Sequence, residues 1–282
     1  TFAEETAFIV PELTYTDPAI LTAYLEENSE LEEFRMFLEN IQRTREHTLS
    51  EPEEKLLASV SDVANASEHV FSIFHNAEFP YPEVTLSTGE TITLTGPNFN
   101  KHRTTQVRKD RPVLFDEFFG THATFKNTFA ANLVTNLKSD HFYAKNRKYG
   151  SCLEAALDGD NIPVSVYENL ITQIHKNLPS LHRFLDLKRR MLGVESLHYY
   201  DLYASIVKDV ELEYTIEDEQ QIILESLQPL GNEYLDILRY GFAHRWIDYM
   251  PTAGKRSGAY SNGAAYDVHP YILMNWNGNY DS

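Results

Sequence analysis

The stretch "GKRSGAYSNGAAYDVHPYILMNW", residues Gly254 to Trp276, differs in character from the chain before it. Glycines at 254, 258 and 263 let the backbone turn with positive φ or let another strand approach closely. Lys255 and Arg256 add positive charge, and Tyr260, Tyr266 and Tyr271 offer hydroxyl groups. "VHPYILMNW" then reads as a strand, with Pro270 at its start or at a sheet edge. A glycine-rich turn beside an open strand can take up an extended peptide by strand addition; equally, it can simply lead into a buried strand. "GKRS" is not a phosphate loop. That motif requires glycine at position 249, which is Tyr249, and Ser or Thr after the lysine, where Arg256 stands.

Working outward from this segment, helical periodicity takes over. Residues 229–242 read as a helix, and Thr215 to Asp218 resembles a capping box before another. "IPVSVYENLITQIHKNLPSLHRFLDLKRRMLGV" reads as two helices started by Pro163 and Pro179, the second ending at Gly193. A long helix follows Asp110, a candidate cap, with a bend or break expected at Gly120. "EVTLSTGETITLT" places Val84, Leu86, Ile92 and Leu94 at alternate positions around Ser87 to Glu90, the pattern of a β-hairpin. Further upstream, Leu31, Phe34, Leu38 and Ile41 form one apolar stripe. Leu56, Val60, Val63, Phe71 and Phe74 form a second, behind a helix start at Ser50. The fold class expected is mostly α, with a β-hairpin and a short C-terminal β region. A domain boundary is expected near residue 95, dividing 1–95 from 96–282.

The 282 residues carry 24 basic and 42 acidic side chains, 24 − 42 = −18. Nucleic acid and anionic membrane both demand a basic footprint, so neither is expected as a partner. No apolar run approaches the roughly 20 residues of a membrane span. Cys152, the single cysteine, makes no internal disulfide and is expected as a small buried thiol on a helix, which points to the cytoplasm. The N-terminus lacks a basic region before its apolar part, so it is not a signal peptide; it reads as the tail of a helix that began earlier.

Catalytic signals are scarce. Eleven histidines occur, but neither HExxH nor CxxC. His175 and His182 lie two helical turns apart, too far to share an ion unaided. Glu195 and His198 follow Gly193 and have no common helical register. No metal ligand and no catalytic residue is assigned in this chain. "LHYYDLY", Leu197 to Tyr203, is either an aromatic corner pinning helices or the lining of a substrate channel.

Taken together, "FIVPEL" (8–13), "FKNTFAANL" (125–133), "FYAKNRKYGSCLEAAL" (142–157), "LHYYDLY" (197–203), "GKRSGAYS" (254–261) and "PYILMNW" (270–276) carry a resemblance. The chain resembles the oligoendopeptidase F family, of the thimet-oligopeptidase group of zinc metallopeptidases. The resemblance implies a zincin-like helical oligopeptidase shell around a channel. It implies one zinc ion held by an HExxH helix and a further Glu, and hydrolysis of internal peptide bonds in oligopeptides. That motif is absent here and would begin shortly beyond Ser282. The zinc ligands are therefore expected in a missing segment or a second chain, and 96–282 is expected to be the first part of a catalytic domain. Alone, the chain is expected to be inactive, with uncovered apolar faces. By the same resemblance Arg256, Gly258, Ala259 and Tyr260 would contact substrate, and His198 and Tyr200 would line the channel. An ion-pair role for Arg256 stays open. The competing reading is a non-catalytic peptide-binding or scaffold protein of the same fold.

Overall fold

The computed structural model describes residues 5–207, 214–252, 254–264 and 267–278; Tyr266 lies outside them. The chain is mostly helical. Its elements are α1 (Ile9–Tyr15), α2 (Pro18–Glu27), α3 (Arg35–Arg43), α4 (Glu51–Ala64), α5 (Ala66–Ile73), β1 (Glu83–Thr85), β2 (Thr91–Thr93), α6 (Gly96–His102), α7 (Asp110–Thr124) and α8 (Lys126–Asn146). There follow α9 (Cys152–Asp158), α10 (Val164–Met191), α11 (Ile216–Ser226), α12 (Asn232–Ala243), β3 (Ile247–Asp248), β4 (Tyr260–Asn262) and β5 (Tyr271–Leu273). Two compact units form: Thr1–Phe71 with Asn127–Leu181, and Ser72–Lys126 with His182–Ser282.

In the first unit the apolar core, including Leu21, Leu25, Ile41 and Leu57, is braced by polar groups. Arg147 donates to both oxygens of Glu54, at 2.8 and 2.7 Å, and Glu54 also accepts from the Leu49 N–H at 3.0 Å. Arg43 pairs with Asp158, which accepts a further bond from the Tyr149 hydroxyl at 2.7 Å. Burial, together with that negatively charged acceptor, pushes Tyr149 up to about 12. Glu54 also explains a departure from the apolar pattern. Its ion pair turns α4 so that Glu54 and Leu57 face inward, leaving Leu56 and Val63 exposed. The expected stripe on that helix is not its buried face.

The second unit begins with the hairpin. Val84 pairs with Ile92, and both pack with Leu94 and Leu114. Gly89 takes φ +89° in the turn, a conformation that glycine adopts without strain. Lys109, not Asp110, occupies the cap position of α7. Asp110 instead accepts from the Ser87 N–H (3.1 Å) and hydroxyl (2.8 Å), fastening the hairpin turn to the helix.

Two expected helix breaks move. α7 runs straight through Gly120 and stops at Phe125, whose ring meets Phe74 and Phe79 edge-on or tilted at 5.1 and 5.5 Å. α10 is one helix with Pro179 inside it. Proline removes the bond to the carbonyl four residues back, but that stretch is exposed and water can serve the freed oxygen. Cys152 is exposed, not buried, because it opens α9 directly after the capping Ser151, which accepts from the Glu154 N–H. The helix start at Ser50 and the capping box at Thr215 form as the sequence suggests.

Asp201 is the most deeply placed charge in the second unit, with no solvent exposure. Arg108 donates to it through Nε (3.1 Å) and Nη2 (3.0 Å), Arg111 through Nη1 (3.1 Å), and the His198 N–H at 3.1 Å. Burial alone would raise its carboxyl; the bonds from Arg108, the His198 N–H and Arg111 hold it below the usual range. A carboxyl depressed by folding stabilises the native state above its unfolded value of about 3.9, and that contribution is lost as pH falls through the folded value. Asp201→Asn should therefore lower unfolding free energy at pH 7 by about 3 kcal/mol, the order expected when one partner of a buried ion pair is removed. It should also flatten the acid limb of the stability profile. Urea unfolding between pH 3 and 7 checks both; an unchanged acid limb rejects the assignment.

Candidate peptide-binding edge

β5 is the middle strand of a three-stranded sheet ordered β3-β5-β4. It runs parallel to β3, and its register extends past the strand: the N–H groups of Ile272, Met274 and Trp276 each donate at 2.8 Å to the carbonyls of Trp246, Asp248 and Tyr249. β4 lies antiparallel on the other side, with Tyr260 opposite Leu273 and Asn262 opposite Tyr271. The sequence leaves open whether residues 270–276 form an open edge or a strand inside the sheet. They are central, and β3 and β4 are the outer strands, with no further strand beside β4 among the described residues. Tyr260, Ser261 and Asn262 are all exposed.

The loop before β4 is fixed from within. Gly254 and Gly258 take φ +79° and +88°. The Asn275 side-chain amide donates to the carbonyls of Arg256 (2.9 Å) and Gly258 (2.8 Å). Lys255 has a side chain only 5 % exposed, and its ammonium donates to the carbonyls of Asp248 (3.1 Å) and Met250 (2.6 Å) while pairing with the Asp248 carboxylate at 3.0 Å. Lys255 is thus consumed as an internal anchor. Arg256 is exposed and makes no ion pair among the described residues. Ser257 packs against Gly96, where an added Cβ would sit 3.4 Å from the serine Cβ.

The structure places Arg256, Gly258, Ala259 and Tyr260 together on this loop and edge. His198 and Tyr200 sit elsewhere in the same unit, stacked on each other at 5.0 Å in the corner closed by Asp201. No hydrogen bond, ion pair or ring contact among the described residues joins the two groups. Sequence reasoning missed Lys255 and Asn275 as anchors. A lone lysine or asparagine carries no periodic signal, and only the fold shows which carbonyls it meets. Among the described residues no group of three or more His, Cys, Asp or Glu is placed to hold a metal ion. The described residues therefore do not fit a zinc site.

Residues 102–282 match Peptidase family M3, and residues 12–81 match Oligopeptidase F. The chain belongs to peptidase family M3. This M3 chain is 40 % identical to Oligopeptidase PepF of Bacillus subtilis over 98 % of its own length and 41 % of that protein. It is 34 % identical to Group B oligopeptidase PepB of Streptococcus agalactiae, over its whole length and 46 % of the relative. Among solved structures it matches an oligoendopeptidase F from Enterococcus faecium at TM-score 0.69 and 33 % identity, covering 86 % of this chain and 46 % of that one. The chain spans less than half the length of these relatives.

Replacing Asn275 by Ala should free both loop carbonyls. A loss of about 1–2 kcal/mol in stability is expected, with faster amide exchange confined to residues 256–262. Exchange in that segment left at the wild-type rate would show that Asn275 does not hold the loop.

Proposed function

We propose that this chain forms the peptide-holding part of a zinc metalloendopeptidase that cleaves internal bonds of oligopeptides in the cytoplasm. The observation that carries the reading is the open edge of β4, presented by a loop that is rigid on its inner side and exposed on its outer one. An extended peptide can add to that edge through main-chain hydrogen bonds, which bind regardless of side-chain identity. That suits an enzyme acting on short peptides of varied sequence. Gly258 and Ala259 offer backbone groups, Tyr260 a hydroxyl and Arg256 a charge with no ion pair among the described residues; His198 and Tyr200 belong to the wall further off. Family membership and the names of the relatives, oligopeptidases and oligoendopeptidases, support the substrate class.

In this reading residues 1–95 form a helical domain closed by the hairpin, and 96–282 begin the catalytic domain. The zinc ligands and the general base belong to a further segment or second chain carrying HExxH. The chain alone then binds peptide and does not hydrolyse it. The second reading is a non-catalytic peptide-binding protein of the same fold, in which extended peptides would bind without zinc.

Incubating the 282-residue chain with an internally quenched oligopeptide and zinc should produce no cleavage, while fluorescence anisotropy shows the peptide bound. Arg256→Ala should weaken that binding by roughly fivefold, the size of one exposed charge-assisted contact. Cleavage by the chain alone, abolished by a chelator, would overturn the placement of the ligands. Absence of peptide binding would overturn the edge reading.

A further inference from the structure

Arg103 stands apart from the other buried or partly buried arginines. Arg35, Arg43, Arg111, Arg147 and Arg189 each meet a carboxylate. Arg103 meets none among the described residues, in a chain with 42 acidic side chains. Its Nε is shielded from solvent and finds no acceptor among the described residues. The guanidinium carbon lies 3.8 Å from the centroid of the Tyr203 ring and 5.8 Å from that of Phe99. Stacking occupies the face of a guanidinium and leaves its N–H edges for a planar acceptor. Leaving such donors unmade in a half-buried site costs free energy that an arriving acceptor would recover.

Hydroxyl donors lie beside it. The Tyr203 hydroxyl oxygen is 3.2 Å from that of Tyr199, whose ring is exposed. One hydroxyl donates to the other, and the second O–H remains to donate outward. A guanidinium edge and a free hydroxyl donor suit an anionic, planar acceptor. Asp201 fixes this corner from below, since residues 199–201 form the turn that its carboxylate closes.

The cluster is also related in position to the β4 loop. Arg103 follows the last turn of α6, and Gly96 at the first turn of α6 is the residue that Ser257 packs against. Seven helical residues rise about 10 Å, which an extended peptide covers in about three residues. We propose that Arg103, with the hydroxyls of Tyr199 and Tyr203, is a recognition site for a carboxylate of the bound peptide, about three residues from the β4 loop. This rests on the reading of β4 as the peptide-binding edge. The carboxylate is either the peptide's C-terminus or an acidic side chain near it.

Calorimetric titration of the 282-residue chain with three forms of one short peptide tests this: free acid, C-terminal amide, and amide with glutamate as the last residue. The free acid is expected to bind roughly tenfold tighter than the plain amide. That preference should fall to near unity in Arg103→Gln and be largely lost in Arg103→Lys, which keeps the charge without the fork. Recovery of affinity by the glutamate-bearing amide, lost again in Arg103→Gln, would assign the side-chain source; no recovery assigns the C-terminus. Tyr199→Phe, at an exposed position, should reduce the preference by about threefold, and it carries the test should the Arg103 variants fail to fold. Equal binding of all three forms, or a preference that survives these substitutions, overturns the carboxylate site while leaving the β4 reading intact. No binding of any form overturns both.

Discussion

A carboxylate removed from water must be compensated where it sits, and Asp201 meets that demand with three donor groups at once. Two come from the start of α7 and its approach, as Arg108 and Arg111; the third is the backbone of its own turn. The arrangement converts a charge that would favour unfolding into a joint between distant parts of the chain. It also sets where the neighbours of Asp201 point. Tyr199 meets Phe115 edge-on at 5.6 Å, and Tyr203 lies under Arg103. With the joint in place, an aromatic corner becomes a surface with a defined direction.

The sheet follows a similar logic by different means. Its strands are too short to be stable from pairing alone. Order comes from side chains that seek backbone: Lys255 turned inward onto two carbonyls, and Asn275 onto two more. Trp246 stacks on His269 at 4.8 Å and fills the space that Gly241 leaves open on α12. The loop ahead of β4 is thereby braced on its inner side, so its outer side can remain unpaired without losing shape. Pre-ordering of this kind reduces the entropy a ligand must remove on binding.

Much of this was legible in the residues, because the signals were local. The hairpin showed in alternating Val84, Leu86, Ile92 and Leu94, and the helix starts in Ser50 and Thr215. The positive-φ turns at Gly254 and Gly258 followed from residue type. What escaped depended on partners far off in sequence. Glu54 rotated its helix because Arg147, 93 positions away, reached it. Asp110 was drawn off its capping role by Ser87. Cys152 read as a buried thiol from its apolar neighbours, but its place at the first position of α9 turned it outward. Pro179 looked like a helix start because proline favours that position; the surrounding solvent allowed it to stay inside. Whether residues 270–276 formed an edge or an inner strand stayed open in the sequence, because strand order is a property of pairing and not of composition. For the candidate site, the glycines and tyrosines were visible, but the clamps on Lys255 and Asn275 were not.

An exposed strand edge carries a hazard as well as an opportunity. The N–H and C=O groups that could receive a peptide could equally receive the β4 of another copy, since an antiparallel pairing of identical strands is self-complementary. Here the edge is short, and the molecule bearing it carries a net charge of −18. Two such molecules repel one another at distances beyond the reach of a backbone hydrogen bond, and added salt shortens that reach to about 8 Å at 0.15 M. The acidity that says nothing about catalysis thus acts as a colloidal safeguard. It holds copies apart and leaves the edge unpaired.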